Sequence, residues 1–299
     1  MITAGTGEIA FAKVNLCLFL GPTRADGRHE LVTLFSSLAL SDTLTITPAA
    51  LGGADRVVCA GVSGANLVAD ALAELRCAGW APPPLQVTIV KRIPVAAGMG
   101  GGSADAAAML RCAARLAPVD GATVARIAAG LGADVPAQLD PGPSIGTGAG
   151  EVVTAVGDLA PHGVLVLPQR AALSTPAVYR EADRLGLGRD AGELSQRSRD
   201  LAAAVGRGGP LPDALAVNDL GPAARSLCPA IDEALERARS AGADQVLVCG
   251  SGPTSVGIFW GADGRDRAAR AAHRLSARYP EAVAAEPVRR GSRPPAPNH

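Results

Sequence analysis

The sequence predicts an α/β chain, α+β in type, divided into two domains. Three observations carry this reading. Stretches that alternate apolar and polar residues interleave with stretches of helical spacing along nearly the whole chain. The chain has 299 residues, which favours two cores over one. A glycine-rich run, Pro94–Asp105, joins a strand pattern to a helix pattern. The pattern changes near Gly157–Pro161, giving expected domains at 1–157 and 158–288. Residues 289–299 form a basic, proline-rich tail expected to be disordered.

In chain order, Glu8–Leu20 reads as a strand. Ala10, Ala12, Val14, Leu16, Leu18 and Leu20 share one face; Phe11, Lys13, Asn15, Cys17 and Phe19 share the other. Gly21–Glu30 is a polar turn, Leu31–Ala39 is apolar, and Thr43–Thr47 alternates as a strand. Val57–Cys59 is a short strand, Asn66–Ala78 a helix closed by Gly79, and Leu85–Val90 another strand. Ala106, Met109, Leu110, Ala113 and Leu116 recur at helical spacing, so a helix begins at about Ser103. Thr123–Leu131 is a shorter helix stopped by Gly132. Pro136 disfavours the α conformation at Val135, which sets Asp134 in a constrained turn. Residues 142–156 read as turns and a strand pair.

Beyond the boundary, Gly163–Leu167 is a strand. Ser174-Thr175-Pro176 supplies a hydroxyl cap and an early proline for a helix to about Leu185. Gly186–Pro212 reads as loop with one helix near Arg199–Val205, and Asn218-Asp219-Leu220 as the end of a further helix. Pro229–Ala241 is a helix. Gln245–Cys249 and Ser255–Trp260 are strands on either side of Gly250-Ser251-Gly252-Pro253-Thr254. Arg265–Arg278 is amphipathic, and Glu281–Val288 is a last strand.

Composition removes several classes of function. Lys+Arg and Asp+Glu both number 28, so no basic surplus points to nucleic acid or an anionic membrane. Aromatics make up 3%, too few for a base-stacking platform. The six cysteines form no Cys-x-x-Cys pair or Cys/His cluster, which argues against zinc, and most read as buried free thiols of a reducing compartment. No secretory pattern opens the chain and no apolar run reaches spanning length. The expectation is a cytoplasmic monomer or homodimer with a small-molecule substrate, no nucleic-acid or membrane partner, and no metal-ligand set of its own.

The glycines at 98, 100, 101 and 102, broken by Met99, let the backbone approach a bound group and admit φ > 0. Feeding a helix N-terminus, they present free N–H groups and the positive end of the helix dipole to an anion. A phosphate loop and a flexible strand-to-helix turn both fit. A Walker loop does not, because Ser103 follows Gly102 with no lysine between them; a dinucleotide fingerprint does not, because Ser103 occupies the third glycine's place. Lys13 and Lys91 are the only lysines among 28 basic residues, the rest being arginine. Where arginine replaces lysine so widely, a remaining lysine suggests chemistry that charge alone does not supply. Lys13 and Asn15 project together from an apolar strand, and Asp134 follows its helix directly. Each is a candidate for chemistry, beside the ordinary reading of a solvated side chain. His29 likewise reads as a ligand contact or a surface histidine.

Ala12-Lys13-Val14-Asn15-Leu16, Pro94–Asp105 and Gly250-Ser251-Gly252-Pro253 stand in an order and spacing that resemble the GHMP small-molecule kinases. Further motifs resemble the branch of that family acting on a cytidine diphosphate-linked methylerythritol. They are Arg24-Ala25-Asp26-Gly27-x-His29-Glu30-Leu31, Leu131-Gly132-Ala133-Asp134-Val135-Pro136, Ser174-Thr175-Pro176 and Asn218-Asp219-Leu220. The likeness runs from Ile9 to Val288. It implies a two-domain fold with mixed and antiparallel sheets, a deep cleft between the domains, and transfer of a phosphoryl group from ATP with Mg2+. It implies that Pro94, Val95, Ala96, Ala97, Gly98, Met99, Gly100, Gly101, Gly102, Ser103 and Ala104 hold ATP. Asp134 would be the general base and Lys13 the catalytic cation beside it. Asn15 would orient the acceptor, with Thr175, His29 and Tyr179 serving the acceptor's recognition. An aromatic usually precedes that histidine; Arg28 stands there instead, and its guanidinium plane can also stack on a base. A GHMP kinase for another polyol or cyclitol, and a non-catalytic nucleotide or metabolite sensor, are the alternatives.

Overall fold

The computed structural model describes residues 5–50, 53–62, 64–95 and 97–291. Two long strands, β1 (Thr6–Thr23) and β2 (His29–Pro48), pair antiparallel and set the frame. Their register shifts between Phe11 and Ala12, between Asn15 and Cys17, and between Leu20 and Thr23. Such irregularities break strict alternation and re-aim side chains. Both faces of β1 are covered, so Lys13 and Asn15 are buried along with Ala12, Val14 and Leu16. The polar turn expected at Gly21–Glu30 is therefore shorter, since β1 runs to Thr23 and β2 starts at His29.

β2 is the hub of a six-stranded sheet. It pairs with β4 (Leu85–Val90) through Thr43–Pro48 and with β5 (Ser144–Thr147) through Thr33–Phe35. β3 (Arg56–Cys59) joins β4 in parallel, and β6 (Val152–Ala155) joins β5 antiparallel, so this sheet is mixed. Helices α1 (Leu67–Cys77), α2 (Gly101–Leu116) and α3 (Gly121–Leu131) pack together, with α2 against β1. Ala104 to Leu110 are all buried in α2, Asp105 among them, so this stretch of the helix lies inside the molecule.

A second, antiparallel sheet has the order β10-β7-β9-β8. Its strands are β7 (His162–Leu167), β8 (Gln245–Val248), β9 (Ser255–Trp260) and β10 (Val283–Ala285). Around it lie α4 (Thr175–Leu185), α5 (Ala191–Gly206), α6 (Gly221–Leu227), α7 (Ala230–Ser240) and α8 (Gly264–Leu275). The first sheet ends at Ala155 and the second begins at His162. One cluster of buried apolar residues nonetheless runs from Ala12, Leu34 and Met109 to Val164, Val256 and Ile258. No helix among the described residues is long and apolar enough to cross a membrane.

Several local expectations are corrected. In Gly186–Pro212 the helix expected near Arg199–Val205 is present but starts earlier, as α5, replacing much of the expected loop; it is opened by a capping box in which Asp190 accepts from Glu193 N–H and Glu193 accepts from Asp190 N–H. Leu194, Leu201 and Ala204 form its buried face. Asn218–Leu220 leads into α6 rather than ending a helix; Asn218 Oδ1 accepts from Leu220 N–H at 2.9 Å. Val135 is helical (φ −67°, ψ −42°), because its N–H bonds to Gly132 O and its side chain is fully buried. Those gains outweigh the pre-proline preference. α2 starts at Gly101, before Ser103. In the tail, Arg290 pairs with Asp140 and donates to Pro143 O, so the chain is held that far. The expectation of disorder for residues 292–299 lies outside the described residues.

Candidate active site

Lys13 Nζ stands 3.2 Å from Asp134 Oδ2 and donates to Asn15 Oδ1 at 2.9 Å. Asn15 Nδ2 donates to Thr33 Oγ1 at 2.7 Å, and Thr33 Oγ1 donates to Cys17 O at 2.6 Å. The Asn15 amide is thus fixed at both ends, with its carbonyl end on the lysine. Lys13 is 4% exposed. Burial alone would lower its proton affinity, but the negative charge of Asp134 and the neighbouring Cys249 thiol leave it above the ordinary lysine value. The ammonium also lies 5.4 Å from the Phe35 ring centre. Lys13 N–H donates to Met99 O at 3.0 Å, which ties β1 to the glycine run.

Gly98 and Gly100 both have positive φ, +71° and +67°. Space for a side chain is also short there. A Cβ on Gly98 would sit 2.7 Å from Gly252 O, and one on Gly100 would sit 3.0 Å from Lys13 Cγ. Gly100 precedes α2 and no side chain caps it, so the first-turn N–H groups are free for a ligand. The second glycine run closes on the same point. Asn218 Nδ2 holds Gly250 O at 2.7 Å and Val248 O at 2.8 Å, and Thr175 Oγ1 lies 3.0 Å from Ser251 Oγ.

Two cavities meet at this loop. One, of about 390 Å³, is lined by Lys13, Asn15, Asp134, Thr175, Tyr179 and Ser251, among others. The other, of about 350 Å³, is lined by Asn66, Lys91, Pro94, Val95, Met99 and Asp105, among others. Gly98, Gly100 and Ser103 belong to both. At the second cavity, Lys91 Nζ bridges Asp42 Oδ2 at 2.5 Å and Asp105 Oδ2 at 2.7 Å, while Asp42 also accepts from Ile93 N–H. Burial pushes the Asp105 carboxyl up to about 7; Lys91 opposes the shift and Asp42 adds to it.

His29 opens β2. Its Nε2 lies 2.7 Å from Asp183 Oδ1 and 3.2 Å from Thr23 Oγ1, and its ring centre is 5.3 Å from that of Tyr179.

Family models match this chain in two places: the GHMP kinase N-terminal domain over residues 66–142 and the GHMP kinase C-terminal region over residues 200–281. A curated relative from Streptomyces coelicolor, 4-diphosphocytidyl-2-C-methyl-D-erythritol kinase, is 44% identical, with 82% of this chain and 84% of the relative covered. The chain belongs to the GHMP kinase family. A relative of the same name from Rhizobium meliloti is 36% identical over 90% of each chain. A crystal structure of 4-(cytidine 5'-diphospho)-2C-methyl-D-erythritol kinase is 34% identical with a TM-score of 0.75, covering 96% of this chain and 100% of that one. A homoserine kinase from Cytophaga hutchinsonii, 16% identical with a TM-score of 0.67 over 97% and 96% of the two chains, shares the fold.

In this GHMP kinase the structure brings Lys13, Asn15, Asp134, Thr175, Tyr179, Gly98, Gly100 and Ser103 to one cavity. Pro94, Val95, Ala97, Met99, Gly101 and Gly102 line the other. Ala96 lies outside the described residues. Ala104 does not line either cavity: it is buried in α2 and its N–H is used by Gly100 O. His29 lines neither cavity and stands beside the first through its contact with Tyr179. Arg28 is likewise not at the cavity wall. Its Nε donates to Asp26 Oδ2 at 3.1 Å and its side chain is 52% exposed, so the expected stacking position is not the one it occupies. Sequence reasoning missed Thr33, Phe35, Asp42 and Asp183. Asp183 had a legible signal, since it stands four residues after Tyr179 on one helix and so shares its face.

Proposed function

We propose that this protein transfers the γ-phosphoryl group of ATP to the 2-hydroxyl of 4-diphosphocytidyl-2-C-methyl-D-erythritol. The products are the 2-phosphate and ADP, on the non-mevalonate route to isoprenoid precursors. The observation that carries this reading is the pair of a buried Lys13 with a half-buried Asp134, set where two cavities share the glycine run. The near relatives named for this reaction support the choice of acceptor. We further assign residues 1–157 and 158–288 to the two domains.

Phosphoryl transfer rests on positioning and on neutralising charge at the transferring group. The free N–H groups at the start of α2, with the Ser103 hydroxyl, suit the phosphates of a nucleotide in the 350 Å³ cavity. No group of three or more His, Cys, Asp or Glu that could hold a metal stands among the described residues. Mg2+ would enter with the phosphates, with the Ser103 hydroxyl at the wall of both cavities able to meet it, since this ion keeps much of its water and needs few protein ligands. Bound there, it supplies further neutralisation of the phosphates. In the other cavity Asp134 accepts the proton of the attacking hydroxyl. Lys13 orients that carboxylate and offsets charge at the reacting oxygens. Asn15 holds the lysine in place through its carbonyl.

The test is ADP release by the purified protein with Mg-ATP and the cytidylylated acceptor, run beside methylerythritol phosphate lacking the cytidylyl group. Turnover that needs the cytidylyl group is expected. Equal turnover of the bare phosphate, or of another polyol alone, would overturn the assignment.

A further inference from the structure

We propose that Asp183 is a positioning residue that fixes the proton of His29 on Nε2 and thereby selects cytosine over uracil in the acceptor. This inference rests on the reading of the reaction given above. A carboxylate only accepts hydrogen bonds, so the 2.7 Å contact from Asp183 Oδ1 requires Nε2 to donate. Thr23 Oγ1, 3.2 Å from the same nitrogen, can donate or accept and so does not decide the matter. Asp183 does. With the proton held on Nε2, the neutral ring leaves a lone pair on Nδ1. Nδ1 makes no hydrogen bond with the described residues, and it is not sealed from solvent as the orphaned buried atoms of the molecule are.

The placement suits a base. The His29 ring is tilted 40° to Tyr179, a wall residue of the acceptor cavity, and Leu31, two residues along β2, lines the same cavity. His29 does not itself line that cavity, but a base seated against Tyr179 would meet its ring, and an Nδ1 lone pair matches the exocyclic amine at position 4 of cytosine and opposes the carbonyl oxygen that uracil carries in its place. The other tautomer would reverse the preference. Asp183 therefore acts through His29 without touching the base. Its side chain is 55% exposed, so substitution leaves the packing intact.

Two measurements test this. In the first, 15N-labelled histidine in the whole protein is read by NMR without ligand, with His29→Gln used to assign the signal. Wild type should show the Nε2–H tautomer, and D183N, whose amide both donates and accepts, should lose that bias. In the second, kcat/KM is compared for cytidine diphosphate-linked and uridine diphosphate-linked acceptors. D183N should shrink the wild-type preference by about tenfold or more, through KM for the cytidine acceptor with kcat nearly unchanged. A wild-type Nδ1–H tautomer, or a D183N enzyme that keeps both its preference and its KM, would overturn the proposal while the reaction stands. Turnover of an acceptor with no nucleotide would overturn both.

Discussion

At the scale of single residues, the structure holds two lysine clusters that differ in kind. Lys13 meets one carboxylate that lines the 390 Å³ cavity, and Lys91 meets two that do not. Replacing Lys13 by Ala should lower kcat by roughly 10²–10³-fold with little change in KM for ATP, because the missing charge matters most as the phosphoryl group moves. Asp134→Asn should fall at least as far, since an amide cannot take the proton; ADP release measures both, and normal turnover in either would remove its assigned role. The Lys91 cluster predicts a dependence on pH instead. Two carboxylates share one ammonium, and the Asp105 carboxyl rises from 3.8 to about 7 on folding. The folded state then binds more protons than the unfolded state across that window, so stability falls as pH rises through it. Asp105→Asn should flatten the fall, read as urea midpoints at pH 5 and pH 8; an undiminished slope would place the proton elsewhere. The scarcity of lysine made both clusters visible in the sequence. Their carboxylate partners were only partly so: Asp134 and Asp105 lie in motifs, whereas Asp42 is 49 residues from Lys91 and Asp183 is 154 from His29.

At the scale of elements, two glycine runs interlock by backbone contact. Gly98→Ala should cost about 2 kcal/mol or more, because a positive φ and a Cβ 2.7 Å from a carbonyl oxygen must both be relieved. Gly102→Ala, inside α2 with its nearest atom 3.8 Å away, should be neutral or stabilise by up to ~1 kcal/mol. Urea denaturation of the pair is the check, and equal effects would show that the loop yields easily. Elements with strong local signals were legible: α1 with Asn66 as its cap, α4 with Ser174, and the strands flanking Gly250–Thr254. The second half of α5 was legible near Arg199–Val205; its first half was legible in principle through Asp190 and Glu193 but lay hidden in a polar composition. Val135 and Asn218 were misread because distant packing and bonds decide them. Asn218 is held by carbonyls of residues 248 and 250, which no local pattern reports.

At the scale of the molecule, the two sheets share one core. Its two tryptophans report opposite parts: Trp80 is buried over α2, with its indole N–H on Ala113 O, and Trp260 ends β9 beside His162. In Trp260→Phe and Trp80→Phe variants, urea midpoints from the remaining fluorophore should coincide with those from circular dichroism. Separate midpoints would show that the sheets unfold independently. This union could not be read from sequence, since it depends on closures such as Val288 N–H to Ser37 O, made between the two ends of the chain. The boundary between the cavities has a consequence for descent. At Gly98 and Gly100 it is main chain, with no side chain for drift to trim and little room for one to grow. On the function proposed above, substitution meets this obstacle on the donor side and not at the far wall, where Leu31, Ala149, Thr175 and Tyr179 stand. A lineage built this way can exchange what it phosphorylates while inheriting intact the means of doing so.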